Sequence, residues 1–308
     1  MTTPSHHYQA YGLSIDSDLE LPELLPDAAR ATPVGALVTI RAESVPPAGL
    51  EGATHTTEHL QCTPKSVWLN IPNVGRMIIR DGCEIGYELA AGVTYANMRV
   101  YLLGSGLGTL LIQRGLIVMH GNAIDMGTGC LTCVGLSGVG KSTTATGMMQ
   151  RGYPLIADDV CPVDAQRRVI PGMPHVKIWQ ETADALGILT PDLPAVAPDL
   201  PKYRLPMRAA FSDQPLPLRL LVELCPSDVT EVHVTPVTGP KKIALIQQNM
   251  YRYQIVHGMQ LGAVSFRHAA ERFSGVKAFR VERPAEGFDL DNLLDTLVQL
   301  FDDHAQVG

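Results

Sequence analysis

The run Gly135-Leu136-Ser137-Gly138-Val139-Gly140-Lys141-Ser142-Thr143 satisfies the pattern G-x-x-x-x-G-K-[ST]. Glycines let a backbone curl until successive N–H groups point inward at phosphate oxygens, and a following helix adds the positive end of its dipole. Lys141 brings a full charge to the β- and γ-phosphates, and the Ser142 hydroxyl suits Mg²⁺. The nucleotide-binding set expected from this phosphate loop (P-loop) is therefore Gly135, Ser137, Gly138, Val139, Gly140, Lys141, Ser142 and Thr143. Asp158 and Asp159 follow, with Asp158 seventeen residues after Lys141. One carboxylate of such a pair can hold a metal while the other takes a proton from an attacking hydroxyl. The plainer alternative is one metal-binding Asp and one that caps a turn. His120 stands at the end of the apolar run Leu116–Met119, a place where a lone histidine is usually structural.

The elements flanking these residues are legible. Cys130–Val134 reads as a strand running into the loop, and Lys141–Arg151 as the helix leaving it, with Gly152 as its C-terminal stop. Residues 116–119 and 122–124 read as strands, and 154–157 as a short strand ending at the acid pair. Residues 98–114 read as a helix, weakened by Gly104, Gly106 and Gly108 unless these let another backbone approach. Before residue 98 the chain alternates apolar and polar residues at 38–42, 66–71, 75–80 and 84–89 between turn formers, as strands do. The expected organisation is an α/β chain with a small, mostly β N-terminal domain over 1–98 and a catalytic domain over 99–308. Residues 171–217 are rich in proline, with one helical segment near 181–186. Strands are expected near 218–224 and 232–235, and Leu290–Phe301 is an amphipathic helix.

Composition narrows the partners. Lys and Arg number 24 against 31 Asp and Glu, a net charge of −7. With no basic run, nucleic acid and anionic membranes are excluded as partners. Six cysteines are too sparse for a disulfide framework. Cys130 and Cys133 form a C-x-x-C, but residues three apart on a strand face opposite ways, so the two thiols should not meet. Residues 1–8 carry no signal pattern and no stretch is apolar enough to span a membrane. A cytoplasmic enzyme is the expectation.

Three segments together, Arg114–Ala123 with its His120, the Gly135–Thr143 loop, and Arg151-Gly152-Tyr153-Pro154-Leu155-Ile156-Ala157-Asp158-Asp159, resemble the catalytic domain of HPr kinase/phosphorylase. The resemblance implies the P-loop fold shared with phosphoenolpyruvate carboxykinases, ATP and Mg²⁺ as cofactors, and phosphorylation of a serine hydroxyl. Carried over by position, it implies Asp158 as catalytic base, Asp159 as a metal or orienting carboxylate and His120 as an accessory group near the phosphates; with the loop's own Lys141 and Ser142, the catalytic set expected is Asp158, His120 and Lys141 and the metal set Ser142 and Asp159. HPr kinases carry a glycine-rich signature where this chain reads Pro171–Trp179, and a Glu where Thr143 stands. Tyr11-Gly12-Leu13 with Ile15 and Ser17, Leu21-Pro22-Glu23, and Gly172 with Pro174 and Lys177-Ile178-Trp179 are similar to shorter HPr kinase-like proteins that modify lasso-peptide precursors.

The expected reaction is transfer of the γ-phosphoryl group of Mg·ATP to a serine of a peptide or small protein, with a lasso-type precursor as first acceptor and HPr as alternative. A small-molecule kinase and a non-catalytic ATP-binding regulator are the rivals. Lys202-Tyr203-Arg204 and Lys241-Lys242 are basic groups that could meet an acidic substrate. A homo-oligomer is left open, since the resembled family forms hexamers.

Overall fold

A computed structural model describes residues 5–27, 36–197, 200–287 and 289–304. Residues 1–4, part of the segment read for a signal, lie outside it. The chain forms two compact units. One comprises Met1–Val118, Ala197–Asp199 and Tyr251–Arg267, the other Met119–Val196, Leu200–Met250 and His268–Gly308.

The first unit is built on a nine-stranded sheet. The strands expected from alternation form at Leu37–Ala42, Ser66–Ile71, Gly75–Arg80 and Glu84–Leu89. The last three pair antiparallel in sequence order, joined by turns at Asn73 and Asp81. The expected helix runs from Tyr95 to Gln113 but widens to a π-helix over Leu102–Gly106. Gly104 and Gly108 make room for a ring, not for another backbone: a methyl on Gly108 would stand 2.5 Å from the Tyr251 ring. This unit runs past residue 98, where composition placed the boundary. The end of the helix is tied to the sheet, with Gln113 accepting from the Gly82 N–H at 2.9 Å and Arg114 donating to the Gly82 carbonyl at 2.7 Å.

The second unit carries the residues singled out above. Its main sheet runs, in spatial order, Leu155–Asp158, Gly121–Asp125, Cys130–Val134, Leu216–Ser227, Lys277–Pro284 and His233–Pro236. Cys130–Val134, Leu216–Ser227 and Lys277–Pro284 are mutually parallel. Gly121–Asp125 is antiparallel to both of its neighbours, so Leu155–Asp158 runs in the direction of Cys130–Val134. The loop and the acid pair therefore leave the sheet at the same edge. The register fixes this tightly, because Asn122 is level with both Cys133 and Asp158.

Two helices cover this sheet at the loop. Lys141–Gln150 buries Thr144 through Met149, and Leu290–His304 buries Leu293, Leu294, Leu297, Leu300 and Phe301, the stripe expected from its spacing except for Leu290, which is only partly buried. They meet closely at Gly147, where a methyl would lie 2.8 Å from Leu294 Cδ1. The proline-rich stretch is more ordered than its composition suggests. His175–Trp179 pairs antiparallel with Leu200–Pro206 in a separate sheet. The chain's cysteines are all free, and burial pushes the Cys130 and Cys133 thiols up to about 12. Among the described residues no helix is long and apolar enough to cross a membrane.

Candidate active site

The loop from Gly135 to Gly140 is curled, and its glycines show why. Gly135, Gly138 and Gly140 all have positive φ, at 141°, 85° and 99°. Gly140 is the residue from which the Lys141–Gln150 helix starts. Two contacts hold the turn from behind. Arg283, buried, donates to the Val139 carbonyl at 3.0 Å. Asn122, fully buried, donates to the Lys141 carbonyl at 2.6 Å. The Lys141 ammonium bends back along the turn and donates to the carbonyls of Gly135 at 2.7 Å and Leu136 at 2.9 Å.

In front of the turn lies a cavity of about 320 Å³. Ser137, Gly138, Gly140, Lys141, Ser142 and Thr143 line it on the loop side; His120, Asp158 and Asp159 line it on the strand side. The structure thus brings together most of the site residues expected from the sequence. Gly135 and Val139 do not line the cavity. The Val139 side chain packs instead into the core with Leu131, Cys133 and Leu224.

The two carboxylates are neighbours in the chain yet differ in their surroundings. Asp158 is buried at a strand end and accepts the Lys177 N–H at 2.9 Å. Burial, and then the charge of Asp159, push its carboxyl up to about 6. Asp159 sits in the left-handed region at φ 70°, unusual for a residue with a side chain. That turn swings its carboxylate onto Lys177 Nζ at 2.7 Å and His120 Nδ1 at 3.2 Å. Burial alone would raise its pKa, but Lys177 and His120 outweigh it and hold the group well below the usual range. His120 also meets the Asp159 carbonyl at 3.2 Å, so its ring is fixed against both ends of that residue. Lys141 is pulled down by burial, with Asp158 and Asp159 opposing the shift.

The rest of the wall comes mostly from residues that the sequence does not mark as site residues. Lys177, Trp179, Glu181 and Thr182 line the cavity together with Lys202, the last already marked as a basic candidate. Lys177 and Trp179 were noticed only as part of a resemblance. The recoverable signal was the alternation in His175–Trp179, which puts residues 175, 177 and 179 on one side of a strand. Lys241-Lys242, the other basic candidate, does not line the cavity; Lys242 donates instead to the carbonyls of Phe273 and Val276.

No protein-family model matches this chain, and no curated protein does. Among solved structures 53 chains match. One is the HPr(Ser) kinase/phosphatase from Coxiella burnetii, 11 % identical, with the match covering 60 % of this chain and 94 % of that one at a TM-score of 0.24.

Proposed function

We propose that this chain is a phosphotransferase that binds a nucleoside triphosphate with Mg²⁺ at the Gly135–Thr143 turn and passes the terminal phosphoryl group to a serine hydroxyl. The observation that supports this reading is the shared cavity. A helix-opening glycine turn, a lysine, a serine hydroxyl and two differently poised carboxylates all border it. Phosphoryl transfer proceeds through a loose transition state, so a protein mainly positions groups and neutralises charge.

Each side chain has a task in that reaction. The loop N–H groups and the Lys141 ammonium bind the phosphates, and the ammonium exchanges the carbonyls of Gly135 and Leu136 for phosphate oxygens. Asp158, with a carboxyl at about 6, is ionised at neutral pH and still a stronger base than an ordinary carboxylate. It takes the proton of the acceptor hydroxyl as the new O–P bond forms and the bond from the γ-phosphorus to its bridging oxygen breaks, releasing the nucleoside diphosphate. The donor set offered to a metal is all oxygen, from Ser142 and the acid pair. That suits Mg²⁺, which is bound through one or two carboxylates together with substrate phosphates. Bound magnesium would neutralise charge between the phosphates. Asp159 already holds Lys177 and His120, so as a metal ligand it exchanges one of them.

The acceptor we propose is a serine of a peptide or small protein. A lasso-type precursor is suggested by the sequence resemblance alone. The test is incubation of the protein with Mg·ATP and, separately, such a precursor peptide, HPr, free serine and a sugar, each product then being weighed. Mass gain by one phosphoryl group on a peptide serine, lost in Asp158→Asn, is the expected result. Transfer to free serine or sugar alone would make it a small-molecule kinase. ATP binding with transfer to no acceptor, and an Asp158→Asn variant indistinguishable from the parent, would leave a nucleotide-operated regulator.

A further inference from the structure

We infer that Trp179 is the stacking platform for the base of the bound nucleotide, with Lys202 steadying the ring; this rests on the nucleotide reading above. Trp179 stands out on the cavity wall as an exposed aromatic among polar and charged side chains, 37 % exposed. An aromatic left open in such surroundings loses the benefit of burial unless something flat covers it. Its partner across the strand pair is Lys202, whose Nζ lies 5.1 Å from the ring centroid. The backbone register fixes that cation over the indole, so the platform is set before a ligand arrives.

Position along the cavity says which part of the ligand the ring meets. Lys177 and Trp179 are alternate residues of one strand and both line the cavity. The strand repeat places them about 7 Å apart along the wall. The Lys177 ammonium marks the acid pair, where the terminal phosphate reacts. Trp179 lies further along, directly before the Gln180–Ala185 helix. That helix carries Thr182, whose hydroxyl is 3.2 Å from the hydroxyl of Thr143. Thr143 is the last residue of the loop motif, in the first turn of the Lys141–Gln150 helix. A triphosphate whose terminal phosphate sits at the acid pair beside Lys177, and which runs along the turn toward Thr143 and Thr182, brings its nucleoside to Trp179. Every base has a π-face, so the platform serves adenine and guanine alike.

The test compares Mg·ATP with Mg·tripolyphosphate, which has the phosphates and no base, by calorimetry without acceptor. Trp179→Ala is expected to weaken ATP roughly ten- to a hundredfold, to leave tripolyphosphate unchanged, and to be rescued by Trp179→Phe. Fluorescence gives a second readout. The other tryptophan, Trp68, is buried at 3 % exposure with its indole N–H on the Pro46 carbonyl. ATP should therefore quench the emission of the parent protein and not that of Trp179→Phe, although this variant still binds. Equal loss of ATP and tripolyphosphate in Trp179→Ala would mean a distorted turn and overturn the proposal. So would unchanged ATP binding, or an effect confined to the KM of the acceptor, which would make the ring an acceptor contact. In each of those cases the parent still binds ATP and the phosphotransferase reading stands. A parent protein that binds neither compound would overturn both.

Discussion

The ammonium of Lys177 lies 2.7 Å from Asp159 Oδ2, and the side chains of the pair are only 13 % and 26 % exposed. Removing the lysine leaves a largely enclosed carboxylate beside a second one. Lys177→Met is expected to cost on the order of 2–3 kcal/mol, below the value for a fully buried pair because Asp159 keeps some contact with water. Lys177→Arg, which keeps the charge, should lose less. Chemical denaturation of the three proteins checks this, and a Met variant as stable as the parent would show that the pair contributes nothing net.

Asp158 makes the stability of the second unit depend on pH. An unfolded Asp releases its proton near 3.9, whereas the folded group holds it to about 6, through burial first and then the charge of Asp159. Between those values the folded chain binds more protons than the unfolded one, so the contribution of this group falls as pH rises through the window. Above it the penalty amounts to roughly 3 kcal/mol at most. Asp158→Asn can still accept the Lys177 N–H. It should be more stable than the parent at pH 7 by on the order of 1–3 kcal/mol and equal to it below about pH 4. Asp159, held low, loses its own contribution only in stronger acid. Urea titrations at the two pH values separate the cases, because an advantage of the same size at both would not come from ionisation. Phosphoryl transfer by the parent should fall off below pH 6 as the base takes up its proton.

Half of this site could be read from the chain because it is local. The Gly135–Thr143 turn, the strand before it and the helix after it are contiguous, and period and glycine placement announce them. Asp158 was legible as the end of a short apolar strand. What was not legible depends on pairing between distant segments. The wall bearing Lys177 and Trp179 comes from a strand whose partner is Leu200–Pro206, more than twenty residues on. Prolines at 171 and 174 precede the first of these strands, and prolines at 201 and 206 lie within the second, so the region reads as loop. The Arg283 contact with the Val139 carbonyl spans 144 residues, and no local pattern encodes it. Lys277–Pro284 escaped notice for a related reason, since it alternates only in part and gains its place by pairing with Leu216–Ser227.

Lys141 should matter far more to transfer than to folding. Its ammonium is held in this state by two loop carbonyls, at 2.7 and 2.9 Å. Leu136 is exposed, so water replaces the lysine at its carbonyl, and with Gly135 buried the loss of that one donor costs about 1 kcal/mol. In the transition state the same ammonium would face developing charge on the phosphoryl oxygens. Lys141→Ala is therefore expected to lower kcat/KM by on the order of a hundredfold or more while shifting the unfolding midpoint little. Parallel kinetic and unfolding measurements check the separation. Retained transfer in this variant would remove the turn from the mechanism.

Gly135 and Gly138 are both left-handed, but their surroundings demand different things of them. A methyl on Gly135 would stand 2.7 Å from the Leu224 carbonyl oxygen and 3.0 Å from Val139 Cγ2. A methyl on Gly138 would meet nothing within 4 Å. Gly138→Ala therefore pays only the backbone cost of an L-residue at positive φ, about 1–2 kcal/mol. Gly135→Ala pays that and also pushes against a neighbouring strand, for a total of roughly 2–5 kcal/mol. The order should reverse for ligand binding. Gly138 lines the cavity and Gly135 does not, so a methyl on Gly138 occupies open space at the border of the cavity proposed to take the phosphates. Thermal unfolding and tripolyphosphate titration on both variants give the two orders. If Gly135→Ala is worse in stability and Gly138→Ala worse in affinity, the turn is a cradle whose back is packed against the sheet and whose front is kept clear for an anion.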